Sequence, residues 1–159
     1  MKGDGNGWVR CGSAHRHWGR FGAAGLLLFR AGTAQLDVLM QQRAAWTSEG
    51  HTWSIPGGAR DSHESPVQAA LREASEEAGI AGSDVRVAGM WRDDHRGWVY
   101  TTVIATSTRE IHLTPNGESA ELRWVRTADV GTLRLHPGFA RTWPRVRSIL
   151  DATASAVTS

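Results

Sequence analysis

Apolar and polar residues alternate along this chain with two different periods. Residues 21–31 form a short apolar run bounded by glycine, which predicts a buried strand. After a turn at Gly32, Thr33 and Ala34, Leu36, Val38 and Met40 alternate with other residues across positions 35–43, predicting the antiparallel partner of a tight hairpin. A loop over 44–50 carries Trp46, and 51–56 is a short strand leading into a glycine turn. The period then changes. Val67, Ala70, Leu71, Ala74 and Ala78 recur at helical spacing and form one apolar stripe. Ser65 is a cap, Pro66 fits the first helical position, Gln68 completes a capping box and Gly79 is the stop.

Two further strands are predicted at 85–93 and 98–106, joined by Asp94, His95, Arg96 and Gly97. In the second, Val99, Thr101, Val103 and Ala105 predict one inward face. Pro115, Asn116 and Gly117 break the pattern before a strand at 121–126 around Trp124 and a brief helical segment starting near Thr127. A last helix is predicted between Pro137 and Asp151, with Pro144 kinking or restarting it. Strands interleaved with two substantial helices predict an α/β layered domain with a mixed sheet.

At 159 residues the chain suits one domain, placed at 21–151, between a flexible arm at 1–20 and a frayed tail at 152–159. A composition 40% hydrophobic and 21% charged excludes a mainly disordered chain. The net charge of +2 comes with seventeen scattered arginines and one lysine, which helps attract a polyanion but predicts no stable nucleic-acid complex. The single Cys11 excludes an intramolecular disulfide and suits a reducing cytoplasm. No apolar run approaches the ~20 residues of a membrane span, so a cytoplasmic protein without a membrane partner is expected. In the arm, Cys11, His15 and His17 are zinc-ligand types but too few for a four-ligand site, so the arm is expected to pack its tryptophans on the domain.

The chemistry gathers on the helix after the glycine turn. Glu73, Glu76 and Glu77 share a face adjoining the apolar stripe. Like charges three and four apart weaken a helix by a few tenths of a kcal/mol per pair, so they call for solvent or a cation. A hard divalent ion such as Mg²⁺ prefers these oxygens. Alone, Glu-x-x-Glu-Glu also fits a solvated acidic face, and the surrounding residues decide against that reading. Gly58, Glu64, Arg72, Glu73, Glu76, Glu77, Gly79 and Ile80 together resemble the signature of the Nudix hydrolases. Ala74 is the one departure, where the family usually has a larger aliphatic residue.

The resemblance implies an α/β/α sandwich and hydrolysis of a nucleoside diphosphate linked to another moiety, with Mg²⁺ or its substitute Mn²⁺. It implies metal oxygens from Glu73, Glu76 and Glu77 and from the Gly57 carbonyl, with Glu73 as first choice for the base. Arg72 and Glu64 are implied to orient the carboxylates and hold the loop against the helix. Resemblance to MutT-type enzymes adds Glu118 as a further metal ligand, with Glu121 as fallback, and Arg43 as a phosphate contact. Trp46 and Trp98 lie in or beside loops where an indole can stack on a base. Residues 133–139, where such enzymes carry an amide that reads oxidised guanine, contain no Asn, which argues against that specificity.

The expected activity is Mg²⁺-dependent cleavage of a nucleoside triphosphate or related diphosphate derivative to a monophosphate, by a monomer or homodimer. The alternatives are cleavage of a nucleotide sugar of the ADP-ribose type or of an RNA 5′ end, and a non-catalytic nucleotide-binding regulator.

Overall fold

The structure, a computed structural model, describes residues 3–12, 16–33 and 35–158, the side chains of 154–158 excepted; His15 and Ala34 lie outside the described residues. The elements in chain order are β1 (Trp8–Arg10), β2 (Arg16–Trp18), β3 (Ala23–Ala31), β4 (Leu36–Arg43), β5 (Trp53–Ser54), β6 (Gly57–Ala59), α1 (Pro66–Ala78), a 3₁₀ turn (Gly82–Asp84), β7 (Val85–Asp94), β8 (Val99–Ser107), β9 (Ser119–Arg126), α2 (Thr127–Val130) and α3 (Pro137–Thr158). β3 runs parallel to β8, while its pairings with β4 and β6 are antiparallel, so the sheet is mixed.

Two apolar layers clamp this sheet. On one face Ala24, Leu26, Leu28, Leu39 and Val103 pack against Ala69, Ala70, Ala74 and Ala78 of α1. On the other, Leu27, Phe29, Val38, Met40 and Ile104 pack against Phe139, Trp143, Val146 and Leu150 of α3. The result is the α/β/α sandwich. Truncating a fully buried leucine such as Leu26 or Leu27 to alanine costs about 2–5 kcal/mol. Ala74 is fully buried under α1, so its small side chain is part of a close helix–sheet contact.

The hairpin of β3 and β4 positions the site by splaying. Its strands pair only where Phe29, Arg30 and Ala31 face Val38, Asp37 and Leu36. Further along, β4 pairs with β5, and β3 pairs with β6 through Ala23, Ala24 and Gly25. The glycine stretch read as a turn is therefore also a strand, and it delivers the chain directly into α1. There the Ser65 hydroxyl accepts from the Gln68 amide while the Gln68 side chain accepts from the Ser65 amide, and Gly79 closes the helix at φ 72°. A cap of this kind contributes about 1 kcal/mol.

Four expectations need correction. Residues 101–105 of β8 are all buried, because the strand is central and a helix covers each face; the single inward face was wrong. Pro144 lies inside one helical run, so the helix does not restart there. Both it and Ala140 are exposed, so water can bond the carbonyl whose donor the proline ring removes. α3 also continues past Asp151 through residues read as a frayed tail, where Ala152, Ala154 and Ala156 favour helix. Finally, Trp8↔Trp18, Val9↔His17 and Arg10↔Arg16 pair as a two-stranded antiparallel ribbon, within the region read as an arm. Trp8 and Trp18 stay exposed and do not join the core.

Candidate active site

The splayed hairpin, the glycine strand and α1 border a cavity of about 1080 Å³. Gly57, Gly58, Glu73, Glu76, Glu77, Glu118, Arg72, Arg43, Trp46 and Trp98 all line it, so the structure brings together every candidate read from the sequence except Glu64, which stands behind Arg72. The fallback Glu121 is elsewhere, on β9, paired with Arg123.

Arg72 organises the loop end of the site. Its Nε donates to Glu64 Oε2 at 2.7 Å and its Nη2 to Glu64 Oε1 at 2.9 Å, a two-pronged pair. Nη2 also reaches the Ala59 carbonyl at 3.0 Å, and Nη1 donates to Glu73 Oε1 at 3.0 Å. Glu64 Oε1 accepts the Asp61 amide as well. The arginine beside it holds the Glu64 carboxyl below its usual range. Loop, helix and Glu73 are thus fixed through one guanidinium.

Three acids meet at the other end. The Gly57 amide donates to Glu77 Oε2 at 2.9 Å. Burial, the Glu73 charge and contact with the Glu118 carboxyl push the Glu77 carboxyl up to about 8. Burial raises Glu73 too, against the pull of Arg72. Glu76 is half-exposed at the rim, 3.5 Å from Arg72. A Cβ on Gly58 would fall 2.6 Å from Glu73 Oε1, so a larger residue there would have to displace that carboxylate.

Glu118 and Arg43 arrive by long-range pairing. The amides of Thr114 and Asn116 donate to the carbonyls of Ala78 and Glu77, which the helix end leaves without internal donors. This docks the loop before β9 on α1. The Ala44 amide then donates to the Glu118 carbonyl, and Arg43 pairs with Ser119 in the β4–β9 register. Arg43 Nε is held by the Ser48 carbonyl at 2.8 Å, and its Nη atoms bond no described residue. Arg43 lines the cavity, which has room for an anion.

Several cavity residues were missed. Tyr100 and Thr102 lie on β8 positions opposite in parity to the face read as inward, which is why the pattern hid them. Tyr100 presses its hydroxyl against Gly25 and Gly57, where an added Cβ would fall 2.2 and 2.9 Å from it; burial and the nearby Glu77 and Glu73 charges raise its pKa. His136, in the segment without an Asn, also lines the cavity. Burial lowers its pKa, and its Nδ1 accepts the Gly138 amide, so the neutral ring carries its proton on Nε2. Trp98, expected at a cleft, is engaged already: its Nε1 donates to the Gly19 carbonyl and His17 stacks on it at 4.1 Å.

The carboxylates fit a divalent cation. Glu77 is buried, carries a raised pKa and has no basic partner among the described residues, a setting whose missing charge an oxygen-preferring cation would supply. Asp61, His63 and Glu64 also lie within 4.8 Å of one another, but both Glu64 oxygens and an Asp61 oxygen already accept bonds from Arg72 and from the Asp61 and Gly5 amides. That cluster is spent on structure.

Clustered carboxylates and the Arg43 side chain line one cavity, an arrangement suited to a cation and an anionic substrate. Comparison with known proteins gives the family. The NUDIX domain model matches residues 19–146. A Mycobacterium tuberculosis protein named "Putative 8-oxo-dGTP diphosphatase 3" is 50% identical over 158 residues, 93% of this chain and 71% of that protein. A Bifidobacterium longum protein named "Nucleoside triphosphate pyrophosphatase/Nudix hydrolase fusion protein" is 44% identical, and the chain spans 33% of its length. The crystal structure of a Nudix hydrolase from M. smegmatis, RenU, is 46% identical with a TM-score of 0.87, covering 93% of this chain and 96% of that one. The chain belongs to the Nudix hydrolase family. No helix among the described residues is long and apolar enough to cross a membrane.

Proposed function

We propose that this chain is a Mg²⁺-dependent pyrophosphohydrolase converting a nucleoside triphosphate, or a related nucleoside diphosphate derivative, to a nucleoside monophosphate. The observation that carries this reading is the convergence of Glu73, Glu77 and Glu118 opposite Arg43 in one cavity. Glu73, Glu76, Glu77, Glu118 and the Gly57 carbonyl would hold the cation. When bound, it offsets pyrophosphate charge and polarises the attacked phosphorus.

The chain's own groups do the rest. Arg43 binds a phosphate oxygen through its two open Nη donors. Arg72 holds Glu73 in place, and Glu73 is the carboxylate assigned to take the proton of the attacking water. The water oxygen bonds to phosphorus, the anhydride P–O bond breaks, and pyrophosphate leaves a nucleoside monophosphate.

A panel of nucleoside triphosphates, ADP-ribose and 5′-triphosphorylated RNA, incubated with Mg²⁺ and resolved by chromatography for nucleoside monophosphate, ribose 5-phosphate, shortened RNA 5′ ends, phosphate and pyrophosphate, tests this reading. Pyrophosphate from a triphosphate supports it; turnover of ADP-ribose or RNA alone replaces the substrate class. Binding of nucleotides without any hydrolysis would instead favour the regulator.

An oxidised guanine nucleotide belongs in the panel. The name of the M. tuberculosis relative favours it, and His136 places an Nε2–H donor in the segment that lacks an Asn. Preference for 8-oxo-dGTP over dGTP, reduced by His136→Ala, is the result this second reading expects.

A further inference from the structure

Among the described residues, Trp8 is 57% exposed, Trp18 46% and Trp46 72%, and all three line the cavity that holds Glu77. Exposed apolar side chains gathered on one concave surface mark a binding site. Two of these tryptophans belong to the ribbon of β1 and β2, which precedes the residues matched by the family model.

The ribbon is fixed at two distant places. At the signature loop the Gly5 amide donates to Asp61 Oδ1 at 2.9 Å and the Ser62 amide to Asp4 Oδ1 at 2.8 Å. At the β7–β8 turn the Gly12 amide donates to the Arg96 carbonyl at 2.9 Å, and the adjoining Gly19 carbonyl accepts from Trp98. His17 adds its stack on Trp98, their planes 8° apart. These anchors run from the signature loop to the β7–β8 turn, so the ribbon forms a flank of the cavity.

None of the anchors uses the side chains of Trp8, Arg16 or Trp18. Those three pack on one another instead. Trp8 and Trp18 meet edge to face with centroids 5.3 Å apart, and the Arg16 guanidinium lies 4.7 Å from the Trp8 centroid. All three line the cavity. Indole faces are suited to stacking on a flat heterocycle, and the Arg16 guanidinium, a group that also binds phosphate, lies here over an indole ring. The phosphate-binding chemistry lies at Arg43 and the carboxylates.

We propose that Trp8, Arg16 and Trp18 form a stacking subsite for the nucleobase of the substrate, which makes the N-terminal ribbon a specificity-determining wall of the active site. This rests on the nucleotide-hydrolase reading above. The subsite contributes affinity for the base and takes no part in the hydrolytic step.

The test compares the intact chain with its Trp8→Ala/Trp18→Ala and Trp8→Phe/Trp18→Phe variants. Equilibrium dialysis with a non-hydrolysable purine nucleoside triphosphate analogue and Mg²⁺ gives Kd, inorganic tripolyphosphate serves as a base-free competitor, and turnover is measured in parallel. The Ala variant should weaken analogue binding about tenfold or more. The Phe variant should remain within about threefold of wild type. Tripolyphosphate binding and kcat should change by less than about twofold in both, with the loss confined to KM. An unchanged Kd in the Ala variant overturns the proposal, as does an equal loss of tripolyphosphate binding, which would mark a merely structural ribbon. Failure of the wild type to bind the analogue also overturns it. If the wild type binds but hydrolyses nothing in the panel, the function reading fails while the Kd comparison still decides the subsite. Should the double Ala variant not fold, Trp18→Ala alone carries the same comparison.

Discussion

Glu64 and Glu77 are equally buried, 8% and 7% exposed, yet their carboxyls are driven in opposite directions. Glu64 has Arg72 on both oxygens and holds its charge easily. Glu77 has one backbone amide, the acids Glu73 and Glu118 beside it and no cationic partner among the described residues. Burial raises Glu77 first and the neighbouring acids add to it, while at Glu64 the bonds from Arg72 outweigh burial. One end of the signature is electrostatically complete, and the other is left short of positive charge where the reaction needs it.

The sharpest way to break this contrast is Glu77→Gln. Turnover should fall by more than about a hundredfold, beyond the 10–100-fold typical of groups behind a metal ligand. The fold should survive, because the substitution removes a poorly compensated buried charge. Unchanged activity would rule out Glu77 as a ligand. Gly58→Ala follows. The new methyl must displace the Glu73 carboxylate, and a shift of about 1 Å in a reacting group lowers kcat by up to about a hundredfold. Its melting temperature should move little, since the displaced atoms end a flexible side chain.

Glu64→Gln should show the reverse pattern. Losing half of a largely buried pair costs about 2 kcal/mol, less than for a fully enclosed pair because Arg72 keeps 31% of its side chain exposed. Thermal melting should fall by about 5 °C, with a smaller loss of turnover than in Glu77→Gln.

The pH dependence separates the same two acids. Glu77 binds its proton more tightly folded than unfolded, so its contribution to stability is full below the ordinary carboxyl value of 4.5 and is lost as pH rises to about 8. Glu64 has the opposite sign: its contribution is present above 4.5 and is lost in acid. Denaturant melts with chelator should therefore lose stability across that upper window, and Mg²⁺ should restore more at its alkaline end. A flat metal-free profile would remove Glu77 from the account. The smallest effect is expected for Trp46→Ala, a KM increase of about threefold at unchanged kcat, because this indole is the most exposed of the four on the cavity.

How legible each part was follows from how it is built. The helix, its caps and its acids sit within about two turns of local chain on either side of Arg72, so spacing alone exposed them. Arg43 and Glu118 came from resemblance, and their meeting depends on a β4–β9 register that spacing does not encode. Tyr100 and Thr102 were hidden because β8 is buried on both faces and its alternation carries no direction. The ribbon was missed for another reason: its strands are three residues each, too short for a period to declare itself, and their pairing is supported by contacts to residues 61 and 96 far along the chain.

Equilibrium binding of Mn²⁺, followed by its electron paramagnetic resonance signal in wild type, Glu77→Gln and Glu64→Gln, tests the division of labour most directly. Affinity should drop at least about tenfold in Glu77→Gln and stay near wild type in Glu64→Gln, even as the latter melts earlier. Loss of Mn²⁺ in Glu64→Gln with full binding in Glu77→Gln would put the metal at Asp61, His63 and Glu64 and contradict the account.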